Sequence, residues 1–189
     1  MVGPKRRVKS KRGLKRVKSS ISSFLKQNVV RDIVKFFLLL GFFYFMMAGA
    51  LTLVFRTDSF WMAVISNSMK HEGDSWQEYF IERGHDPSTF PIQEGFERGD
   101  LLIIQGVSSV SEISVGDVLV LDMGPGVIPL THRVVDIWEE NGTARIMTKG
   151  DANKGTLPVE RSIKPEQILG KVIFVIPKIG YLSLWLSGQ

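Results

Sequence analysis

The sequence predicts a mostly β architecture of two parts: one N-terminal transmembrane α-helix and an antiparallel β domain behind it. Three observations predict it. A charge-free run of 20 residues follows a strongly basic leader; several short aliphatic runs bounded by Gly, Pro, Asn or Asp come next; and Asn141-Gly142 separates two of those runs. With 44% hydrophobic and 23% charged residues, composition points away from collagen-like, low-complexity and disordered classes. The absence of Cys excludes a disulfide framework and Cys-ligated zinc or iron–sulfur centres.

Residues 1–35 hold 12 Lys+Arg against the single acid Asp32, a net charge of +11; the remaining residues hold 12 Lys+Arg against 18 Asp+Glu, a net charge of −6. A nucleic-acid-binding domain carries its positive charge on the folded part, and here that part is acidic, so no nucleic acid is expected as a partner. The leader, with Gly3, Pro4, Gly13 and a Ser-rich stretch at 19–23, reads as a disordered cytoplasmic tail. Residues 36–55, FFLLLGFFYFMMAGALTLVF, then form a helix of ~30 Å, the thickness of a bilayer's hydrocarbon core. Ala48-Gly49-Ala50 resembles a signal-peptide cleavage site, but the apolar run is longer than the usual signal core and continues through Phe55. An uncleaved anchor is the expectation, with a lipid bilayer as partner. Positive flanks stay on the cytoplasmic side, which places residues 57–189 outside.

Within 57–189 the strand signals are Asp100–Gln105, Val118–Leu121, Thr131–Trp138, Ala144–Thr148 and Lys171–Ile176. Asn141-Gly142 tolerates positive φ at both turn positions and predicts a hairpin between the third and fourth. Only Ser75–Arg83 has a helical pattern, with Trp76, Tyr79 and Phe80 at i, i+3 and i+4.

Ser66-Asn67-Ser68-Met69 lies 11 to 14 residues beyond the span. His132 sits in a strand beside Arg133, and Lys149-Gly150-Asp151 leaves another strand into a turn. Ser, His and Asp in that order are one permutation of the nucleophile, base and orienting acid of acyl transfer, a constellation with no fixed order. Each member alone also has an ordinary reading: a solvated hydroxyl, a packed strand histidine, a turn-forming aspartate.

Together these residues resemble type I signal peptidases of the archaeal and endoplasmic-reticulum branch. The ordered set is an N-terminal span, Ser66-x-Ser68-Met69, Arg98-Gly99-Asp100-Leu101-Leu102, Val115-Gly116-Asp117-Val118-Leu119, Thr131-His132-Arg133-Val134-Val135, and Thr148-Lys149-Gly150-Asp151-Ala152-Asn153. It covers residues 36–176. The bacterial branch has a Lys where this chain has His132, so the resemblance implies Ser–His chemistry.

The resemblance implies a membrane-bound serine endopeptidase that cuts signal peptides from secreted preproteins, with no cofactor and with accessory subunits left open. Ser68 is the implied nucleophile, activated by a base. His132 is the implied base, since an imidazole accepts and returns a proton near neutrality. Ser66 matches the position whose hydroxyl joins the Ser68 N–H in holding the oxyanion. Asp151 is the implied acid. The second Asp that the eukaryote-like branch places a few residues further on is replaced here by Lys154-Gly155-Thr156-Leu157, and Glu160 stays open as the alternative. Asp136, four residues from His132 and ~13 Å away at strand rise, cannot orient that ring. Lys149 could serve as a Ser–Lys base, but nothing in its sequence position indicates desolvation.

The chain departs from the family between Met69 and Arg98. His71 stands where the family has Pro, and an insertion at about 70–98 replaces a short loop. Its His71 and His85, 14 residues apart among scattered acids, do not make a metal site, and none is expected. The aromatic face of its helix could dock in the headgroup layer or cap the domain's own core; docking is the expectation. A different functional class, a non-catalytic membrane-anchored binding or assembly module, is the alternative to the peptidase.

Overall fold

The computed structural model describes residues 9–73 and 75–188. The chain divides into two compact units, Met1–Ala50 and Leu51–Gln189. Helix α1, Lys9–Phe55, runs through the first unit and into the start of the second. Its apolar part, Asn28–Phe55, is long and apolar enough to cross a membrane. The tail expected to be disordered is helical from Lys9 onward. From residue 9 to 35 the chain has no Pro and one Gly, and its Lys, Arg, Leu and Gln are good helix formers. Residues 1–8 of that tail lie outside the described residues.

The second unit is built on one six-stranded antiparallel sheet in the order β1-β2-β6-β3-β4-β5. Its strands are β1 (Trp61–Ala63), β2 (Leu101–Gln105), β3 (Val118–Leu121), β4 (Leu130–Glu140), β5 (Thr143–Lys149) and β6 (Ile168–Ile176). The predicted mostly β class holds. Strand β1 escapes a sequence reading because three residues are too few to show alternation. Strand β3 is buried on both faces, which is why Val118–Leu121 carries no polar alternation. The hairpin between β4 and β5 turns at Asn141 (φ 51°) and Gly142 (φ 74°), both left-handed as a type I′ turn requires.

Two clusters fill the body of the core. Leu102, Ile104, Val118, Val120 and Val172 pack with Val64, Met69 and Phe96, while Leu119, Leu121, Val134, Ile146 and Ile163 pack together with Ile113. Met69 thus anchors the Ser68 segment in the core.

A third cluster belongs to the insertion. Helix α2, Ser75–Ile81, buries Trp76 and Phe80 to 2% exposure against Val135 of β4, with Tyr79, Phe90 and Met147 around them. The expected membrane docking of this aromatic face is therefore wrong. The stripe caps the core because β4 offers it an apolar wall, and the exposed Ile81 lies at the opposite side of the helix. At the C-terminal end, α3 (Gly180–Ser187) buries Gly180 and Leu184 and turns Tyr181, Leu182, Trp185 and Leu186 outward.

Candidate active site

The Ser66–Met69 segment leaves β1 as irregular chain and is fixed from three sides. Arg98 donates its N–H to Asn67 Oδ1 (2.9 Å) and its guanidinium to the Ile65 carbonyl (2.9 Å). The Ala152 N–H donates to the Ser68 carbonyl (2.9 Å), and the Asp151 N–H points at Met69 Sδ (3.4 Å). Ser68 is half-buried, and its hydroxyl lies 3.2 Å from that of Ser66. The Arg98-Gly99-Asp100 box acts structurally: Asp100 accepts from the backbone of Glu97 and Lys178, and its carbonyl accepts from Val64.

His132 lies on β4 opposite Leu119 of β3 and is 1% exposed. Its Nδ1 meets Oε1 of Glu160, a carboxylate with no exposure at all. Glu160 is placed by a 3-10 turn at Pro158–Glu160 and is held by the Thr148 hydroxyl (3.0 Å) and the Leu157 N–H (2.9 Å). A carboxylate there accepts, so Nδ1 carries the proton in the neutral ring and Nε2 presents a lone pair. Nε2 is buried and has no partner among the described residues. A Cβ added at Gly150 would lie 2.8 Å from Nε2 and 2.8 Å from the Ser68 carbonyl oxygen, so those two atoms are at most twice that distance apart. The turn after β5 thus brings the Ser68 backbone and the His132 ring together, while the Ser68 hydroxyl bonds Ser66 and not Nε2.

Asp151, the expected acid, is not on His132. Its carboxylate forms a two-pronged ion pair with Arg133, from Nε to Oδ1 (3.0 Å) and from Nη2 to Oδ2 (2.8 Å), and it also accepts from His71 Nε2 (2.7 Å). Burial pushes its pKa up, but the hydrogen bonds from His71 and Arg133 outweigh that and hold the carboxyl below the ordinary range. His132 and Arg133 are successive strand residues, so their side chains leave opposite faces of β4, and one carboxylate cannot serve both. Arg133 is a hub that sequence reasoning passed over: it also donates to the carbonyls of Gly116, Pro91 and Ile92.

Lys149 ends β5 and is 5% exposed, contrary to the reading that nothing desolvates it. Its Nζ donates to the Gly150 carbonyl (3.0 Å) and lies 4.9 Å from the Tyr79 ring centroid, so the insertion covers it. Burial lowers its pKa, against the pull of Asp151 and Glu160, and Arg83 lowers it further. Asp136 is exposed and bonds the next N–H on its own strand. His85 packs on Phe80 and Phe90. Among the described residues no group of three or more His, Asp or Glu is placed to hold a metal.

A mostly apolar cavity of about 220 Å³ adjoins Ser66 and Ser68, walled by Met62–Ile65 on one side and Ile128–Thr131 on the other, with Phe96 and Leu102 at its base. The larger cleft, about 660 Å³, lies between Gln93–Glu97 and Ile173–Val175 and includes neither Ser68 nor His132.

No family model matches the chain. Curated relatives do. It is 32% identical over 101 residues to a signal peptidase complex catalytic subunit of Colletotrichum graminicola, covering 51% of this chain and 59% of that protein. The proteins of the same name from Lachancea thermotolerans and Fusarium vanettenii are 35% and 34% identical over 104 and 105 residues, each across 51% of this chain and 61% and 59% of theirs. The chain thus matches about three fifths of the length of these relatives. The resemblance to signal peptidases read from the boxes holds, and the relatives carrying it are fungal rather than archaeal.

Proposed function

We propose that this chain is a membrane-anchored serine endopeptidase that removes signal peptides from secreted preproteins, with Ser68 as nucleophile, His132 as general base and Glu160 orienting the imidazole. The observation that carries the reading is the state of His132: Nδ1 engaged by a buried carboxylate, Nε2 buried and unpartnered beside residue 68. Such a ring is set to take a proton at Nε2.

In the proposed reaction Nε2 accepts the Ser68 Oγ proton as Oγ bonds the scissile carbonyl carbon. The carbonyl oxygen becomes an oxyanion, held by the Ser68 N–H and by the Ser66 hydroxyl once it turns from Ser68 Oγ. Collapse breaks the peptide bond, and His132 returns the proton to the leaving amine. Water, deprotonated by the same nitrogen, then frees the acyl group. Beside the nucleophile, the mostly apolar 220 Å³ cavity offers a place for a side chain next to the scissile bond. Strand β1 is an edge, so a substrate can extend along its free backbone groups.

The wider assignments belong to the same proposal. The +11 tail stays cytoplasmic, α1 spans the bilayer from about residue 36 to 55, and residues 57–189 act on the outer face of the membrane. The name shared by the relatives, subunit of a complex, supports partner subunits.

The test is cleavage of a preprotein by the full chain in detergent or liposomes. Ser68→Ala and His132→Ala each abolish it. Wild-type inactivity on several preproteins overturns the reading and favours a membrane-anchored binding module. For topology, protease added outside sealed cells or right-side-out vesicles digests residues 57–189 and spares the tail; the reverse pattern overturns the orientation.

A further inference from the structure

His71 makes two hydrogen bonds to groups that only accept. Its Nδ1 lies 3.0 Å from the Gln93 carbonyl oxygen and its Nε2 2.7 Å from Asp151 Oδ2. A peptide carbonyl has no proton to give, so Nδ1 must carry one. Asp151 is ionised, because both of its oxygens already accept from the Arg133 guanidinium. Nε2 must therefore carry a proton as well, and the ring is an imidazolium. It stacks on Trp76 at 4.6 Å between centroids, a face that attracts cations.

The partner matters as much as the charge. Asp151 opens the turn whose Ala152 N–H holds the Ser68 carbonyl and whose Gly150 borders both that carbonyl and His132 Nε2. His71 follows Ser68 by three residues and begins the insertion. It therefore ties the nucleophile segment, the insertion and the catalytic turn at one carboxylate.

Resting on the proposed peptidase reaction, we propose that His71 is a positioning residue: its imidazolium clamps the start of the insertion to Asp151 and so holds the Ser68 segment against the turn that borders His132. The charged groups around it are Asp151 and Arg133 from the core and Lys70, Glu72, Glu94, Glu97, Asp100 and Lys178 along the clefts it borders. Lys70 is itself paired with Glu72 (3.2 Å) and Glu97 (3.3 Å), which leaves Asp151 as the counter-ion of His71. Without the second proton, the Nε2 lone pair would face a carboxylate lone pair.

Two measurements test this on the full chain in detergent. Ring ¹⁵N correlation spectra, assigned with His71→Gln, show both His71 nitrogens protonated at pH 6; a neutral ring there overturns the proposal. In preprotein cleavage His71→Ala lowers kcat about tenfold with KM unchanged, and His71→Lys, which keeps a cation on Asp151, restores most of that loss. His71→Arg replaces the Lys variant if that does not fold. Equal kcat for wild type and His71→Ala, or an equal loss in His71→Ala and His71→Lys, also overturns it. The ring state is read without substrate, so a charged His71 in a chain with no peptidase activity counts against the proposed function and not against the clamp.

Discussion

Glu160 sits against Nδ1 of His132, 28 residues away in sequence and wholly buried, while Asp151 turns to Arg133. In the proposed reaction Glu160→Gln keeps the volume of the side chain but can present an N–H to Nδ1, which shifts the imidazole proton to Nε2 and removes the base. Loss of a comparable orienting carboxylate costs about 10⁴-fold in kcat in a serine protease of another fold. We expect a loss of about 10³-fold or more for Glu160→Gln in preprotein cleavage, with the fold intact by circular dichroism. Activity within tenfold of wild type would refute the assignment.

Asp151→Asn should act on stability first. Its carboxyl is held below the ordinary range by His71 and Arg133 although burial opposes this. The sign follows: the unfolded chain binds the proton at higher pH than the folded one. The stabilisation is therefore complete above the unfolded pKa of about 4 and is lost as pH falls through the depressed folded value. Breaking a buried ion pair by removing one partner costs about 3–5 kcal/mol. The variant should melt well below wild type at pH 7, and the gap should narrow as both are titrated into acid. A gap independent of pH would mean that the charge of Asp151 is not what stabilises.

Lys149→Met tests the buried amine. Burial lowers the folded pKa of Lys149 below its unfolded value of about 10.4, so the unfolded chain holds the proton more tightly between the two. In wild type this makes stability rise with pH across that interval. Lys149→Met should lack that rise, melt no lower than wild type at pH 7, and retain preprotein cleavage. Loss of cleavage with the fold intact would restore Lys149 as a candidate base.

Much of this was legible in the sequence, and what was not has identifiable causes. Strands β2 to β6, the Asn141-Gly142 turn and the Ser68 and His132 boxes are local patterns, readable because period, turn residues and spacing lie within a few positions. Glu160 stays open as an alternative in the sequence because its contact with His132 of β4 is set by a turn that docks on β5 through the Ile163–Ile146 bridge. Nothing local to Pro158–Glu160 announces that contact. Arg133 looked like a companion to His132, and its burial depends on carbonyls 41 and 42 residues upstream. The face of α2 was visible as a stripe, but whether lipid or protein covers a stripe is decided by β4.

Trp76→Ser and Ile81→Ser separate those two coverings. Trp76 is 2% exposed and carries both the His71 ring and, at 4.6 Å, the Arg133 guanidinium; Ile81 is 61% exposed on the same helix. Removing a buried Trp costs about 3–5 kcal/mol, whereas an exposed substitution stays within about 0.5 kcal/mol. Denaturant unfolding should show the first change and not the second. Equal effects would mean that α2 is not anchored as described.

Gly150→Ala adds one methyl group at the junction of the candidate machinery. Gly150 does not adopt a left-handed φ, so the backbone accepts Ala, and what decides the effect is space. The new Cβ would lie 2.8 Å from His132 Nε2, 2.8 Å from the Ser68 carbonyl and 2.7 Å from the Asn153 amide nitrogen. Two of these cannot yield freely: His132 is fixed by Glu160, and the Ser68 carbonyl by Ala152. The methyl must widen the distance between nucleophile and base, and a displacement of about 1 Å in such a pair costs about 10²-fold. We expect kcat for preprotein cleavage to fall by that factor while KM changes less than threefold, because the cavity beside Ser66 does not include Gly150. Unchanged kcat in a folded Gly150→Ala chain would place the reacting groups elsewhere, since that methyl crowds the nitrogen proposed as the base.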